Sequence, residues 1–235
     1  MKKLKVFLAL LFFTKSLIFS KQINNPDFQL GLQHYNNKKF LLAIGSFKKT
    51  IESGINNEKV YFYLGNSYAF IENYDKAIES LKYAYEFASD NEFKSLILHN
   101  LGYVYYLKKD YKKCINNLNM AYQINTNLNQ VFWYKGMAFF KLKDKNNTIL
   151  EWERYLELEP NGKESDNIRR ALAILKAKDF SFEKDEGRVI SEISNSSKDK
   201  KIEVMPLIDV ENVLENVKPE DKGKVSDETL EDIEK

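Results

Sequence analysis

Apolar and polar residues follow one another with the spacing of amphipathic helices, and the pattern repeats along the chain. Four glycines lie inside apolar stretches, at intervals of 34, 37 and 34 residues: Gly31, Gly65, Gly102 and Gly136. A glycine inside a helix costs about 1 kcal/mol relative to alanine, so its recurrence at a nearly fixed spacing indicates a packing role. We interpret the pattern as four tandem units near 24–57, 58–94, 95–128 and 129–162.

Other residues recur at fixed distances from each glycine. A small residue follows twelve positions later and a large apolar residue sixteen positions later, with an aromatic or histidine at the third position. This spacing predicts two antiparallel helices per unit, with the glycine allowing the second helix to approach closely. The longer spacing of 37 places three extra residues in the loop around Phe87–Ser95. One pair cannot cover its own apolar face, so at least three units are required.

The pattern resembles the tetratricopeptide repeat over roughly residues 24–161. The residues that carry the resemblance are Leu64-Gly65, Tyr68 and Ala77 in the second unit, with equivalents in the others, and Pro160. The departures are His34 in the first unit, and Lys145 and Thr148 in the fourth. The resemblance implies an all-α, right-handed solenoid of four helix pairs.

A capping helix is predicted after the fourth unit, over residues 163–178. Ile168, Ala171, Leu172 and Leu175 form one helical stripe that can cover the last pair. Ser165 is the expected N-cap of this helix. The solenoid domain is therefore predicted to span residues 24–178.

The first twenty residues are typical of a signal peptide. A basic start is followed by the apolar run Val6–Thr14, which is too short to span a membrane, and cleavage is expected after Ser20. The alternative is that this segment stays uncleaved as a membrane anchor. We expect no other part of the chain to contact a membrane. Lysine, asparagine and isoleucine are abundant, which favours an AT-rich bacterial genome. The expected location is therefore the periplasm or the membrane of a bacterium.

The end of the chain, residues 179–235, is predicted to be an acidic and mostly disordered tail. It contains 17 acidic and 9 basic residues and few aromatics. A short helix is possible at 206–218, where apolar residues share one face. This segment is either part of a solvated tail, or it folds on a partner or in the groove of this same chain. Arg188–Ile193 could add a strand, but its alternation is short.

Nothing in the sequence indicates catalysis, a metal or a cofactor. Nucleophile elbows, phosphate loops and paired-histidine motifs are missing. Cys114, the single cysteine, occupies a small-residue position and is expected to be a buried hydrophobe, and His34 is expected to be a core residue. The even charge balance of the whole chain gives nucleic-acid binding little support.

The resemblance implies that the first helices of the units line a concave groove. Carried over position by position, the groove residues are Phe28, Leu32, Tyr35, Phe62, Asn66, Ala69, His99, Tyr103, Tyr106, Trp133, Met137 and Phe140. Aromatic and methionine side chains are typical of binding hot spots. The predicted function is a protein–protein scaffold or adaptor that binds a peptide or helix in this groove.

Two other groove ligands can be weighed against a peptide or helix. The alternative is a carbohydrate-binding module that stacks cell-wall glycans on the same aromatic rings. A carboxylate-binding groove is disfavoured, because Phe28, Leu96 and Asn100 stand where basic residues would be needed.

Overall fold

A computed structural model describes residues 23–194, and this part of the chain consists of α-helices joined by short loops. The predicted all-α helical-repeat fold is confirmed, whereas the predictions for residues 1–20 and 206–218 lie outside the described residues. The helices are α1 (Pro26–Asn36), α2 (Phe40–Glu52), α3 (Glu58–Phe70), α4 (Tyr74–Phe87), α5 (Asn91–Leu107), α6 (Tyr111–Ile124), α7 (Gln130–Lys141), α8 (Lys145–Leu158), α9 (Ser165–Leu175) and α10 (Phe182–Ser194).

The glycine of each unit faces the large residue sixteen positions later, on the second helix of the same pair. The small residue at twelve positions is also buried, and it brings its backbone close: the Ala77 carbonyl lies 3.1 Å from where a Gly65 Cβ would be. The tightest contact is therefore with the large side chain. The distances from a Cβ built on each glycine are 2.5 Å for Gly31 to Phe47, 2.8 Å for Gly65 to Leu81, 2.8 Å for Gly102 to Leu118 and 2.2 Å for Gly136 to Trp152.

The turn inside each unit has the same geometry in all four units. In the third unit, the Lys109 amide donates to the Tyr106 carbonyl and the Asp110 amide donates to the Tyr105 carbonyl, both at 2.9 Å. This is a Schellman motif, which normally places glycine at its left-handed residue. Here that residue is never glycine, although its φ lies between 57° and 67°: Lys38, Glu72, Lys109 and Lys143.

The residue after each left-handed position also begins the next helix. Asn73, Asp110 and Asp144 accept a hydrogen bond from a backbone amide in the first turn of α4, α6 and α8. Lys39, the equivalent residue before α2, makes no such side-chain bond. One residue thus ends one helix and caps the other, which keeps the connection short.

The three extra residues of the third unit are helical, which corrects the prediction that they lie in a loop. The connection between α4 and α5 is only residues 88–90, whereas the connections 53–57 and 125–129 are longer. Helix α5 has 17 residues, against 11 to 13 for the other first helices. Asp90 caps α5 by accepting from the Phe93 amide at 2.8 Å. The insertion therefore adds about one turn to the start of α5.

Helix α9 packs against α8 and against the helix that follows it, α10. Its apolar stripe, Ile168, Ala171, Leu172 and Leu175, is buried. Ser165 is not the N-cap, however. It is the first helical residue, and its hydroxyl donates to the Glu159 carbonyl, which ties α9 to the end of α8.

The helical domain continues past residue 178, so the predicted start of the disordered tail at 179 is wrong. Residues 182–194 form α10, which packs against α9 and buries Val189 and Ile193. The guanidinium of Arg170 lies 2.6 Å from the Glu192 carboxylate and joins the two helices on their exposed side. The strand considered for Arg188–Ile193 is therefore excluded. None of the helices between residues 23 and 194 is both long and apolar enough to cross a membrane.

Candidate partner-binding surfaces

The first helices of the four units, α1, α3, α5 and α7, lie next to one another in chain order. They carry the residues predicted to line the groove, but most of those side chains are buried. Leu32, Tyr35, Tyr106 and Met137 are half-buried. The remaining predicted residues are buried: Phe28, Phe62, Asn66, Ala69, His99, Tyr103, Trp133 and Phe140. The prediction of a continuous exposed aromatic groove is therefore wrong for these positions.

The buried rings pack between helices and hold the units together. Phe62 of α3 contacts Phe93 of α5, the first helix of the next pair, with ring centroids 5.2 Å apart. Trp133 stacks on Trp152 at 5.7 Å, and the Trp152 indole donates to the Trp133 carbonyl at 3.2 Å. Phe140 contacts both Trp152 and Phe182. These side chains form the core of the solenoid and are not available to a partner.

A buried network of polar side chains joins α3 to α5. The Asn100 side-chain amide donates to Asn66 Oδ1 at 3.2 Å, and Asn100 Oδ1 lies 3.4 Å from His99 Nδ1. Two outer atoms of this side-chain network, Asn66 Nδ2 and His99 Nε2, have no hydrogen-bond partner within the described structure. Desolvation lowers the pKa of His99 to about 4, because the ring is fully buried. His99 is therefore neutral at physiological pH.

The ring of Tyr134 packs against this network of polar side chains. Its centroid lies 6.0 Å from the His99 ring and 5.8 Å from the Tyr103 ring, in both cases nearly edge-on. Burial raises the pKa of Tyr134 well above its ordinary value. His34, by contrast, is half-buried, which corrects the expectation of a core histidine.

A different surface exposes aromatic rings, and sequence reasoning did not find it. Tyr61 of α3 stacks on Phe87 of α4 at 5.5 Å and lies 5.3 Å from Tyr83. Tyr83 and Phe87 are each 43% exposed. The Tyr61 hydroxyl donates to Asn56 Oδ1 at 2.9 Å, which fixes the ring that supports the other two. We call Tyr61, Tyr83 and Phe87 the unit-two aromatic patch.

Aromatic rings at all three positions of the unit-two aromatic patch occur in the second unit alone among the four units. Tyr83 and Phe87 lie one turn apart on α4, a spacing that could have indicated a surface stripe. In the first unit the three equivalent positions are polar, so the helix pair forms without aromatic residues there. The equivalents are Asp27, Lys49 and Ser53 in the first unit, Leu98, Met120 and Ile124 in the third, and Phe132, Arg154 and Leu158 in the fourth.

The unit that carries this patch is acidic. Residues 58–94 contain seven acidic and four basic residues, whereas 95–128 contain one acidic and four basic residues. A unit with a net negative charge favours a partner of the opposite sign. The unit-two aromatic patch is therefore suited to a segment that combines apolar and basic side chains.

The described residues offer little for catalysis. No group of three or more histidine, cysteine, aspartate or glutamate residues within 23–194 could hold a metal ion. Cys114 is fully buried, and burial raises the pKa of its thiol, so it is a poor nucleophile. An open depression of about 760 Å³ lies between α8 and α9, beside Leu156 and Leu172, and the pair of Lys176 and Glu153 bridges its two helices.

Comparison with known proteins supports the fold and leaves the family open. No protein-family profile matches the chain. A crystal structure of MamA is 19% identical with a TM-score of 0.55, covering 71% of this chain and 90% of that one. The structure of the Cut9–Hcn1 hetero-tetramer of the APC/C is 20% identical with a TM-score of 0.57, covering 65% of this chain and 29% of that one. Both are tetratricopeptide-type helical-repeat structures.

One curated sequence is similar over about two thirds of this chain. RNA polymerase II-associated protein 3 of Homo sapiens is 27% identical over 161 residues, which is 68% of this chain. The match covers only 23% of that protein. The match therefore says nothing about the activity of the larger protein.

Proposed function

We propose that this chain is an exported bacterial member of the tetratricopeptide repeat family and acts as a protein-binding scaffold without catalytic activity. The proposal is supported by four tandem helix pairs with the family spacing and by structural likeness to MamA and Cut9. The location at the cell envelope rests on the sequence of residues 1–20 alone.

The observation that carries the proposal is the unit-two aromatic patch. Three rings lie in contact at positions that are all polar in the first unit, and two of them are substantially exposed. Clustered aromatic rings are typical of binding hot spots. The net negative charge of residues 58–94 favours a partner peptide or helix with basic and apolar residues.

Site-specific photo-crosslinking in the native cell tests this surface. A photoreactive amino acid at Tyr83 should give adducts with a discrete partner protein, and the Phe87→Ala substitution should remove them. The same probe at Asn119, an exposed position on α6, is the matched control. If Asn119 and Tyr83 give the same adducts, the patch has no specific role.

A second pair of variants separates the patch from what remains of the groove. Tyr83→Ala with Phe87→Ala should weaken capture of the partner, while Tyr106→Ala with Met137→Ala should not. The opposite result would restore the groove as the binding surface, through its half-buried residues.

The glycan alternative has no support in the comparisons. Both tryptophans of the chain, Trp133 and Trp152, are buried. Their indole rings, which stack best on sugars, are therefore not available to a glycan. Sedimentation of the protein with purified cell wall, with and without Tyr83→Ala, is the direct test of this alternative.

Cell fractionation tests the location. A chain with a C-terminal tag should be recovered in the periplasm or with the membrane. Its apparent mass on a gel reveals whether residues 1–20 have been removed. Recovery in the cytoplasm would disprove export and would leave the binding proposal standing.

A further inference from the structure

The exposed face of α2 differs from the faces of the other second helices. At 100° per residue, Leu41, Leu42, Gly45, Lys48 and Lys49 lie within one third of the helix circumference. All five are exposed, and Leu41 and Leu42 are exposed by 72% and 54%. The opposite face is buried through Ala43, Phe47 and Thr50. Two adjacent leucines therefore stand in solvent beside two lysines.

The other units show that these leucines have no role in packing the repeat. The positions equivalent to Leu41 and Leu42 are polar in every other unit, and α4, α6 and α8 form in the same way. An exposed apolar pair that the fold does not need favours contact with another surface. The equivalent pairs are Asp75 and Lys76, Lys112 and Lys113, and Asn146 and Asn147.

The charge next to the leucines is positive. Lys38 and Lys39 precede α2 directly, and Lys48 and Lys49 follow on the same exposed face. The first unit, residues 24–57, contains two acidic residues against these four lysines. A surface with leucines among lysines is the composition that binds the interface of an anionic bilayer.

The position of α2 in the chain fits such a contact. In the alternative in which residues 1–20 stay as an uncleaved anchor, the segment Val6–Phe19, which is apolar apart from Thr14, Lys15 and Ser16, is separated from α1 by only residues 20–25. Six residues span at most about 20 Å, so a membrane reached by that stretch lies within 20 Å of the start of α1. The first unit is then the part of the solenoid nearest to the lipid.

We propose that the exposed face of α2, with Leu41, Leu42, Lys48 and Lys49 and the preceding Lys38 and Lys39, rests on an anionic membrane surface. The leucines enter the interfacial region and the lysines contact the lipid phosphates. This contact goes beyond the proposed binding of a protein partner, which uses α3 and α4. Lysines on both sides would oppose a face-to-face contact between two copies.

An environment-sensitive fluorophore distinguishes this contact from membrane attachment by the N-terminal stretch. Cys114 is the only cysteine and is fully buried, so a new surface cysteine in the full chain is labelled alone. Leu41→Cys reports on α2, and Leu150→Cys is the matched control, because Leu150 is 60% exposed on α8.

With phosphatidylcholine vesicles that contain phosphatidylglycerol, we expect a blue shift for the label at residue 41 and none for the label at residue 150. Vesicles of phosphatidylcholine alone should give a much smaller shift at residue 41. Replacing Lys38, Lys39, Lys48 and Lys49 by glutamine should reduce the anionic-vesicle response at least about tenfold in affinity.

Four outcomes would overturn the proposal. The first is that the emission of the label at residue 41 does not change with anionic vesicles, and the second is an equal shift at residues 41 and 150. The third is a shift at residue 41 that occurs without vesicles and grows with protein concentration. The fourth is a shift without vesicles that disappears when residues 195–235 are deleted. The third would assign the face to a second copy, and the fourth to the acidic end of this chain. None of them bears on crosslinking at Tyr83, so the two proposals fail independently.

Discussion

The indole of Trp152 lies against the backbone of Gly136, so closely that a Cβ on the glycine would be 2.2 Å from the ring. Trp152 is fully buried and stacks on Trp133, which leaves it no room to move. We predict that Gly136→Ala destabilises the protein by about 2–3 kcal/mol through overpacking. Denaturant unfolding of the variant and the wild type measures the difference.

Gly187→Ala is the control for this substitution. Gly187 is exposed within α10, and a Cβ there meets no atom within 4 Å. Alanine should therefore stabilise the protein by about 0.5–1 kcal/mol, as expected for a helix interior. An equal loss of stability in both variants would mean that the contact with Trp152 is not the cause.

Acid should destabilise the fold through His99. The unfolded histidine takes up a proton near its ordinary pKa of 6.5, whereas the buried ring does so only near pH 4. Between these values the unfolded state binds more protons, so stability is complete above pH 6.5 and falls as the pH drops toward 4. The loss amounts to about 3 kcal/mol at the lower end.

His99→Gln should remove this component of the pH profile of the free energy of unfolding. His34→Gln provides the comparison at the other histidine of the chain, which is half-buried. If the profile of His99→Gln follows that of the wild type between pH 6.5 and 4, the ring is not protected from protonation in the folded state.

The left-handed turn residues offer a stabilising substitution. Lys109 has a φ of 67°, which costs a non-glycine residue about 1–2 kcal/mol. Lys109→Gly should therefore raise the free energy of unfolding by about 0.5–1 kcal/mol, after the entropic cost of glycine. Thermal unfolding of this variant, beside Lys112→Gly in the first turn of α6, gives the comparison. Lys112→Gly should be destabilising, and a shift of the same sign in both would contradict the role assigned to the turn.

Helix α10 is predicted to stabilise the end of the solenoid. Val189 is fully buried, so Val189→Ala should cost about 1–2 kcal/mol, while Ser191→Ala on the exposed side should have little effect. A chain that stops after Asp179 should unfold at a lower temperature than one that stops after Ser194. Equal midpoints for the two shortened chains would show that α10 contributes nothing.

The spacing of Gly65, Ala77 and Leu81 predicted the helix pairs correctly, because the close approach of two helices leaves a mark at fixed positions in the sequence. The exposure of Phe62 or Trp133 could not be predicted in the same way. A repeat pattern indicates the direction of a side chain, while burial depends on how near the neighbouring unit lies. Val189 and Ile193 were missed because polar residues and Gly187 surround them in a short amphipathic stretch.

The four strained turns also bear on how the chain folds. Each unit places a lysine or glutamate in a left-handed conformation that a short peptide avoids. Only the packing of the helices against one another offsets the free-energy cost of that conformation. A single helix pair cut from the chain should therefore remain unfolded, since its local preferences oppose the hairpin. The units gain their structure together, so folding of this solenoid is a cooperative property of the array.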